Sequence, residues 1–391
     1  MLIKVNKSLG KTLIMDNITF LTTYLLYEIT ISDNTKDDLI KKYDDFLETQ
    51  TNYDLYKDSK FHKNSNLIIN TVYSIQTIIK DLEKRKQFYE CYVNDINFYN
   101  QSSYEDYKFL TIDFEFSSDE QENDKIKEEI KKLFQLFYTK FIYEKEKDQV
   151  FNNRSILIDE YKNENGGKLI CPSCLSSLNL KNAKLDHYFP KHIFNVLSLH
   201  PYNLVPICEE CNTRAGSKTN MGKGEKIPNT SHLNSDYNYA GSLKDIFLPY
   251  INSAEGNIYA KIEWKTTQKS YYDLRFQPSY IDYTNISQIQ KNMLLKHEKL
   301  FNLEEKWSST IETINGILCE EIERHFVIRG LTLNIYEVKE YLYTNYICYS
   351  NNIENIAKYA DYVLRYSYAK FLYEDDFNLK AFYANLQIKI S

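Results

Sequence analysis

Apolar residues recur at helical spacing over much of the chain. From Ser117 to Lys147 they fall at Ile126, Ile130, Leu133, Phe134, Phe137 and Phe141. This predicts an amphipathic helix, opened by a capping serine with acidic residues in its first turn. Residues 34–100 carry further helical stretches, and the same period returns from Ile286 to Phe326 and from Leu333 to about Leu372. Two segments alternate instead. Leu110, Ile112, Phe114 and Phe116 interleave with Thr111, Asp113 and Glu115, which predicts one half-buried strand with a solvated acidic face. Ile258, Ala260, Ile262 and Trp264, followed by Tyr272, Leu274 and Phe276, predict a β-hairpin.

The composition agrees with a helical protein. Ten glycines and seven prolines in 391 residues fall well below average usage of ~7% and ~5%, so tight turns are few. No Walker-type or dinucleotide-type glycine loop is present. No apolar run approaches the roughly eighteen residues that cross a bilayer. The stretch Ile18 to Ile31 is broken by Thr19, Thr22, Thr23 and Glu28 and lacks a small-residue cleavage pattern. The chain is therefore expected to have no membrane span and to stay in the cytoplasm. A formal net charge of −6 argues against a surface that coats nucleic acid as a whole, so a phosphate-binding site must be local.

The scarce residue types are concentrated. Between Gly166 and Pro228 lie five of the ten glycines, five of the seven prolines, four of the seven cysteines and three of the seven histidines. A loop-rich, ligand-rich module inside a helical protein is the natural reading. It divides the chain into a mainly helical region (1–165), the module (166–230) and a hairpin-plus-helix region (231–391). Within the module, Cys171-Pro-Ser-Cys174 and Cys208-Glu-Glu-Cys211 can each grip one side of a tetrahedral zinc through thiolates. Such a site is closed and structural. Cys91, Cys319 and Cys348 stand alone and read as small core residues.

Chemistry is therefore expected between the pairs, in Leu185-Asp186-His187-Tyr188-Phe189-Pro190-Lys191, Asn203-Leu204-Val205-Pro206-Ile207-Cys208 and Cys211-Asn212-Thr213-Arg214. Leu204 to Ile207 predicts a short strand and Glu209 to Arg214 the start of a helix, giving a zinc-tied ββα unit. Asp186 and His187 face opposite sides on a regular strand, but a strand end or bulge lets both reach one pocket. His192 and His200 read as loop residues.

This order of elements resembles the HNH endonucleases, the ββα-metal group. The likeness covers about 166–223 and leaves the helical flanks uncovered. It implies a small ββα-metal, zinc-bound HNH module; with the helical period on both sides and the hairpin after it, the expected fold class is α+β, mainly helical. By position, His187 corresponds to the general base that takes a proton from the attacking water. Asp186 and Asn212 correspond to oxygen ligands of Mg²⁺ or Mn²⁺, and Asn203 to the residue that holds the loop and orients the base. Asn212 stands where many relatives carry a third histidine, which favours a hard ion. The products implied are 5′-phosphate and 3′-hydroxyl ends.

From Gly166 to Lys226 eight basic residues face four acidic ones, and Lys191, Arg214 and Lys218 are candidate phosphate contacts. The expected partner is DNA, with RNA as the alternative substrate, beside a regulatory protein or a second copy of the chain. The layout suggests an anti-phage or restriction effector. The alternative from another class is a zinc-stabilised module that binds nucleic acid or a partner without cutting.

Overall fold

The structure is a computed structural model that describes residues 2, 5, 22–49, 63–101, 104, 107–137, 139, 154–165, 167, 169–179, 183–189, 191, 194–216, 246–254, 259–264, 272–277, 287–301, 303–348 and 361–390. The described chain is mainly helical with two small antiparallel sheets, the α+β class expected.

A helix at 22–31 (α1) leads into α2 (Lys36–Glu48), α3 (Ser65–Ile78), α4 (Leu82–Ile96), α5 (Glu120–Phe137) and α6 (Arg154–Glu164). Local chemistry starts several of these. Thr35 accepts from Asp38 N while the Asp38 carboxylate accepts from Thr35 N, a reciprocal cap for α2. Asp81 caps α4 through Glu83 N. In α2 the buried Leu39, Tyr43 and Leu47 recur every four residues, and they meet Ile68, Ile69, Val72 and Ile75 of α3 in one apolar core.

The predicted helix from Ser117 is α5, and Ile126, Ile130, Leu133 and Phe134 are buried as expected. Its capping acceptor is Asp119, which takes Glu122 N, rather than Ser117. Phe141 and Lys147 lie outside the described residues, as does the Phe137 side chain.

Residues 110–116 are a turn and loop, not the predicted strand. The reason is Asp95 on α4, 15 and 16 residues upstream. Its buried carboxylate accepts Leu110 N and Thr111 N, both at 2.9 Å, and the Thr111 hydroxyl. Backbone donors spent on a carboxylate cannot join a ladder. Phe114 and Phe116 still pack, edge-on and tilted against Phe88.

The central hairpin pairs β1 (Ala183–His187) with β2 (Leu204–Cys208), from Ala183 opposite Cys208 to His187 opposite Leu204. α7 (Glu209–Gly216) follows β2 directly and packs on both strands. The pleat divides the hairpin between two cores. Ala183, Leu185 and Leu204 join the N-terminal helices, whereas Val205 and Ile207 join the cysteine pairs and the C-terminal helices.

The second predicted hairpin is present as β3 (Tyr259–Trp264) and β4 (Tyr272–Gln277). Its register sets Ala260 against Phe276, Ile262 against Leu274 and Trp264 against Tyr272, pairing the alternating apolar positions. Ile258 is outside the described residues. The C-terminal helices are α8 (Gln288–Phe301), α9 (Leu303–Arg329), α10 (Ile335–Leu342, continued by a π-turn at Tyr343–Ile347), α11 (Tyr362–Glu374) and α12 (Asp376–Ile390). α9 ends where Gly330 takes φ +61° and Leu331 N reaches back to Phe326 O, a left-handed stop that suits glycine. The expected boundaries at 165/166 and 230/231 touch residues outside the described set.

Candidate metal centre and adjoining strand-strand-helix site

The first cysteine pair sits in a tight knuckle. Leu175 N bonds Cys171 O at 2.8 Å, Cys171 N bonds Ser176 O at 2.9 Å, and Leu175 takes φ +67°. Every carbonyl from Ile170 to Leu175 has a named donor. Tyr161 Oη serves Ile170 O and Leu175 N serves Cys171 O. Leu2 N serves Pro172 O, His297 Nε2 serves Ser173 O, and Trp307 Nε1 serves Cys174 O. Asp361 N serves Leu175 O. The knuckle is held by α6, α8, α9 and the lead-in to α11, as well as by residue 2. Since a carbonyl only accepts, His297 donates from Nε2. Burial keeps its imidazole well below the ordinary histidine value.

The second pair spans the β2–α7 junction. Cys171, Cys174, Cys208 and Cys211 are buried, and their sulfurs all lie within 4.8 Å of one another, close enough to hold a metal ion. Cys174 Sγ and Cys208 Sγ are 3.8 Å apart. Four thiolates around one zinc at 2.3 Å lie about 3.8 Å from each other, far beyond a disulfide's 2.05 Å. Cys208 N points at Cys171 Sγ (3.5 Å) and Cys211 N at Cys208 Sγ (3.4 Å). The donor set therefore fits a closed, soft-metal site. Among the described residues it is the one such group of histidine, cysteine and carboxylate ligands.

Sequence reasoning did not find Lys306. Its Nζ lies 3.1 Å from Cys208 Sγ, 3.7 Å from Cys211 Sγ and 3.0 Å from Glu210 Oε2. Burial disfavours the charged amine, but the coulombic pull of the cysteine sulfurs outweighs burial and raises the amine above its ordinary value. A signal was present: Lys306 occupies a slot of the buried α9 stripe formed by Leu303, Trp307, Ile311 and Ile314, where an aliphatic residue would serve packing better.

His187 is the last rung of β1. Its Nε2 lies 3.1 Å from Ser198 O. The carbonyl can only accept, so Nε2 carries the proton and Nδ1 the lone pair. Burial, then the nearby Lys191 charge, push the imidazole down to about 3 against that hydrogen bond. It is a neutral imidazole at ordinary pH.

Asn203, fully buried, clamps the loop that positions this partner. Its Oδ1 accepts Phe189 N at 2.7 Å, and its Nδ2 donates to Phe189 O (3.1 Å) and Leu197 O (3.0 Å). One side chain thus ties the segment after His187 to the residue before Ser198.

Asp186 and Asn212 are half-buried, Asp186 opposite Val205 on β1 and Asn212 next to Cys211 on α7. The ladder runs through His187 without a bulge, so Asp186 and His187 project to opposite faces, and His187 stands at the strand end. Lys191 is exposed. Arg214 falls within α7 but its side chain is outside the described residues, and so are Lys218 and His192. His200 is buried, its Nδ1 accepting Tyr202 N; its part is to shape the loop.

No family profile, curated protein or solved structure matches the chain.

Proposed function

We propose that the chain is a metal-dependent HNH-type endonuclease that hydrolyses phosphodiester bonds in DNA, with zinc on Cys171, Cys174, Cys208 and Cys211 and Mg²⁺ or Mn²⁺ on Asp186 and Asn212. The observation that carries it is His187 at the end of β1, its Nε2 proton committed to the Ser198 carbonyl and its loop clamped by Asn203. A purely structural zinc knuckle needs none of Asp186, His187 and Asn212. Asp186 and Asn212 supply the hard oxygens such an ion prefers, and both are half-buried.

In this reading His187 Nδ1 accepts the proton of the attacking water, and Asn203 keeps the ring aimed by fixing both sides of the loop. A divalent ion bound by Asp186 and Asn212 would supply charge stabilisation at the scissile phosphate and the leaving 3′ oxygen. The exposed Lys191, with Arg214 and Lys218, would meet backbone phosphates. A role as an anti-phage or restriction effector, with a regulatory partner or second copy, fits a nuclease embedded in unrelated helices.

The test is supercoiled plasmid incubated with the purified chain and Mg²⁺ or Mn²⁺, beside His187→Ala and EDTA controls. Nicking or linearisation is expected from the wild type and from neither control. Equal cleavage by His187→Ala would overturn the assignment, and cleavage of RNA alone in a parallel reaction would replace DNA as the substrate.

A further inference from the structure

The ligands of the cysteine centre leave its charge unbalanced. Four thiolates around a divalent ion carry two net negative charges, in a site whose cysteines are all buried. The N–H groups of Cys208 and Cys211 spread part of that charge. Among the described residues, the full cation in contact with the sulfurs is Lys306, 3.1 Å from Cys208 Sγ and 3.7 Å from Cys211 Sγ.

A lysine only 6% exposed is costly unless its charge is paired. Glu210, its carboxylate partner, is itself exposed, and the half-buried Asp361 carboxylate also feels the Lys306 charge, so the sulfurs in contact are the fully buried part of the counter-charge. The next residue reaches the other pair: Trp307 Nε1 donates to Cys174 O at 2.9 Å. Consecutive residues of α9 thus hold both knuckles from outside, as a metal would hold them from within.

We propose that Lys306 is a positioning residue of the metal centre, which offsets the thiolate charge of Cys208 and Cys211, slows metal loss and couples metal occupancy to the docking of α9. This rests on reading the four cysteines as a metal site. Because coupling is reciprocal, whatever factor α9 docking adds to metal affinity the metal adds to α9 docking.

The test uses the full chain loaded with Zn²⁺, and in parallel with Co²⁺, as wild type, Lys306→Met and Lys306→Arg. Lys306→Met is expected to bind metal but to surrender it to a chelator about ten- to a hundredfold faster, the usual scale for a lost outer partner of a ligand. Its thiolate-to-cobalt charge-transfer band should move to lower energy, because the sulfur lone pairs lose a cationic donor. Lys306→Arg should restore most of both. Far-ultraviolet circular dichroism of the metal-loaded variants reports that the helices of both cores are intact, and Lys306→Gln, a donor without charge, gives the same readouts if the methionine variant fails to fold. Wild-type release and an unshifted band in the variants would overturn the proposal while leaving the metal site standing. A wild-type chain that takes up no metal would overturn the metal site and the proposal together.

Discussion

At the scale of single residues, the described site is organised by groups that lack water and must therefore find partners. His187 is neutral because burial and Lys191 disfavour its charged form more than the Ser198 carbonyl favours it. The folded chain then binds fewer protons than the unfolded one between about pH 6.5 and 3, so stability present above the ordinary histidine value is lost as pH falls through that window. Ring carbon resonances of His187 are expected to show no titration from pH 7.5 to 5, and the melting temperature to drop over the same range. His187→Gln, which can still donate to Ser198 O, should flatten part of that drop. A midpoint near 6.5 for the wild-type ring would contradict the environment described. Asn203→Ala removes three buried hydrogen bonds and leaves Phe189 N without its acceptor. At about 1 kcal/mol per bond plus the orphaned donor, a loss of about 3–4 kcal/mol is expected in urea unfolding.

At the scale of elements, side-chain alternation misread one segment. Leu110, Ile112, Phe114 and Phe116 have the period of a strand, and Phe116 is buried, but what a segment becomes depends also on where its N–H groups go. Asp95 captures two of them from α4. Asp95→Ala should release that turn at a cost of about 2–3 kcal/mol, the scale for orphaned buried donors, measured by chemical denaturation. The same carboxylate has its acidity weakened by burial, only partly offset by the bonds from Thr111 and Leu110. The β3–β4 hairpin and α7 were legible because their signals are local: alternation with a matching partner a few residues on, and acidic residues directly after a strand. Lys306 shows in the sequence only as a lysine in an apolar stripe, and it acquires its reason from sulfurs 95 and 98 positions away.

At the scale of the whole molecule, the cysteine knuckles tie distant parts of the chain together. Residue 2, α6, α8, α9 and the lead-in to α11 all end hydrogen bonds on the carbonyls of 170–175. Metal removal should therefore act well beyond the module. With the metal chelated, amide exchange is expected to rise in α8, α9 and α11, while α2 and α3, whose core contains no cysteine ligand, keep their protection. Uniform exchange changes across both cores would show that the centre does not divide the molecule this way. Among the described residues no helix is long and apolar enough to cross a membrane.

What the sequence determined by itself is the part carried by short-range pattern: a mainly helical α+β chain and two cysteine pairs able to share a metal, with the residues proposed to carry chemistry lying between them. Two ligands three positions apart already define half of a tetrahedron, and helix period and strand alternation are properties of neighbours. Only the tertiary structure decided that Asp95 would unmake a strand, that Asp186 and His187 leave an unbulged ladder on opposite faces, and that the C-terminal helices bring a cation to the sulfurs. Each of these depends on burial and on charges brought close by folding, where losing water makes an unpaired group costly and selects its partner from anywhere along the chain.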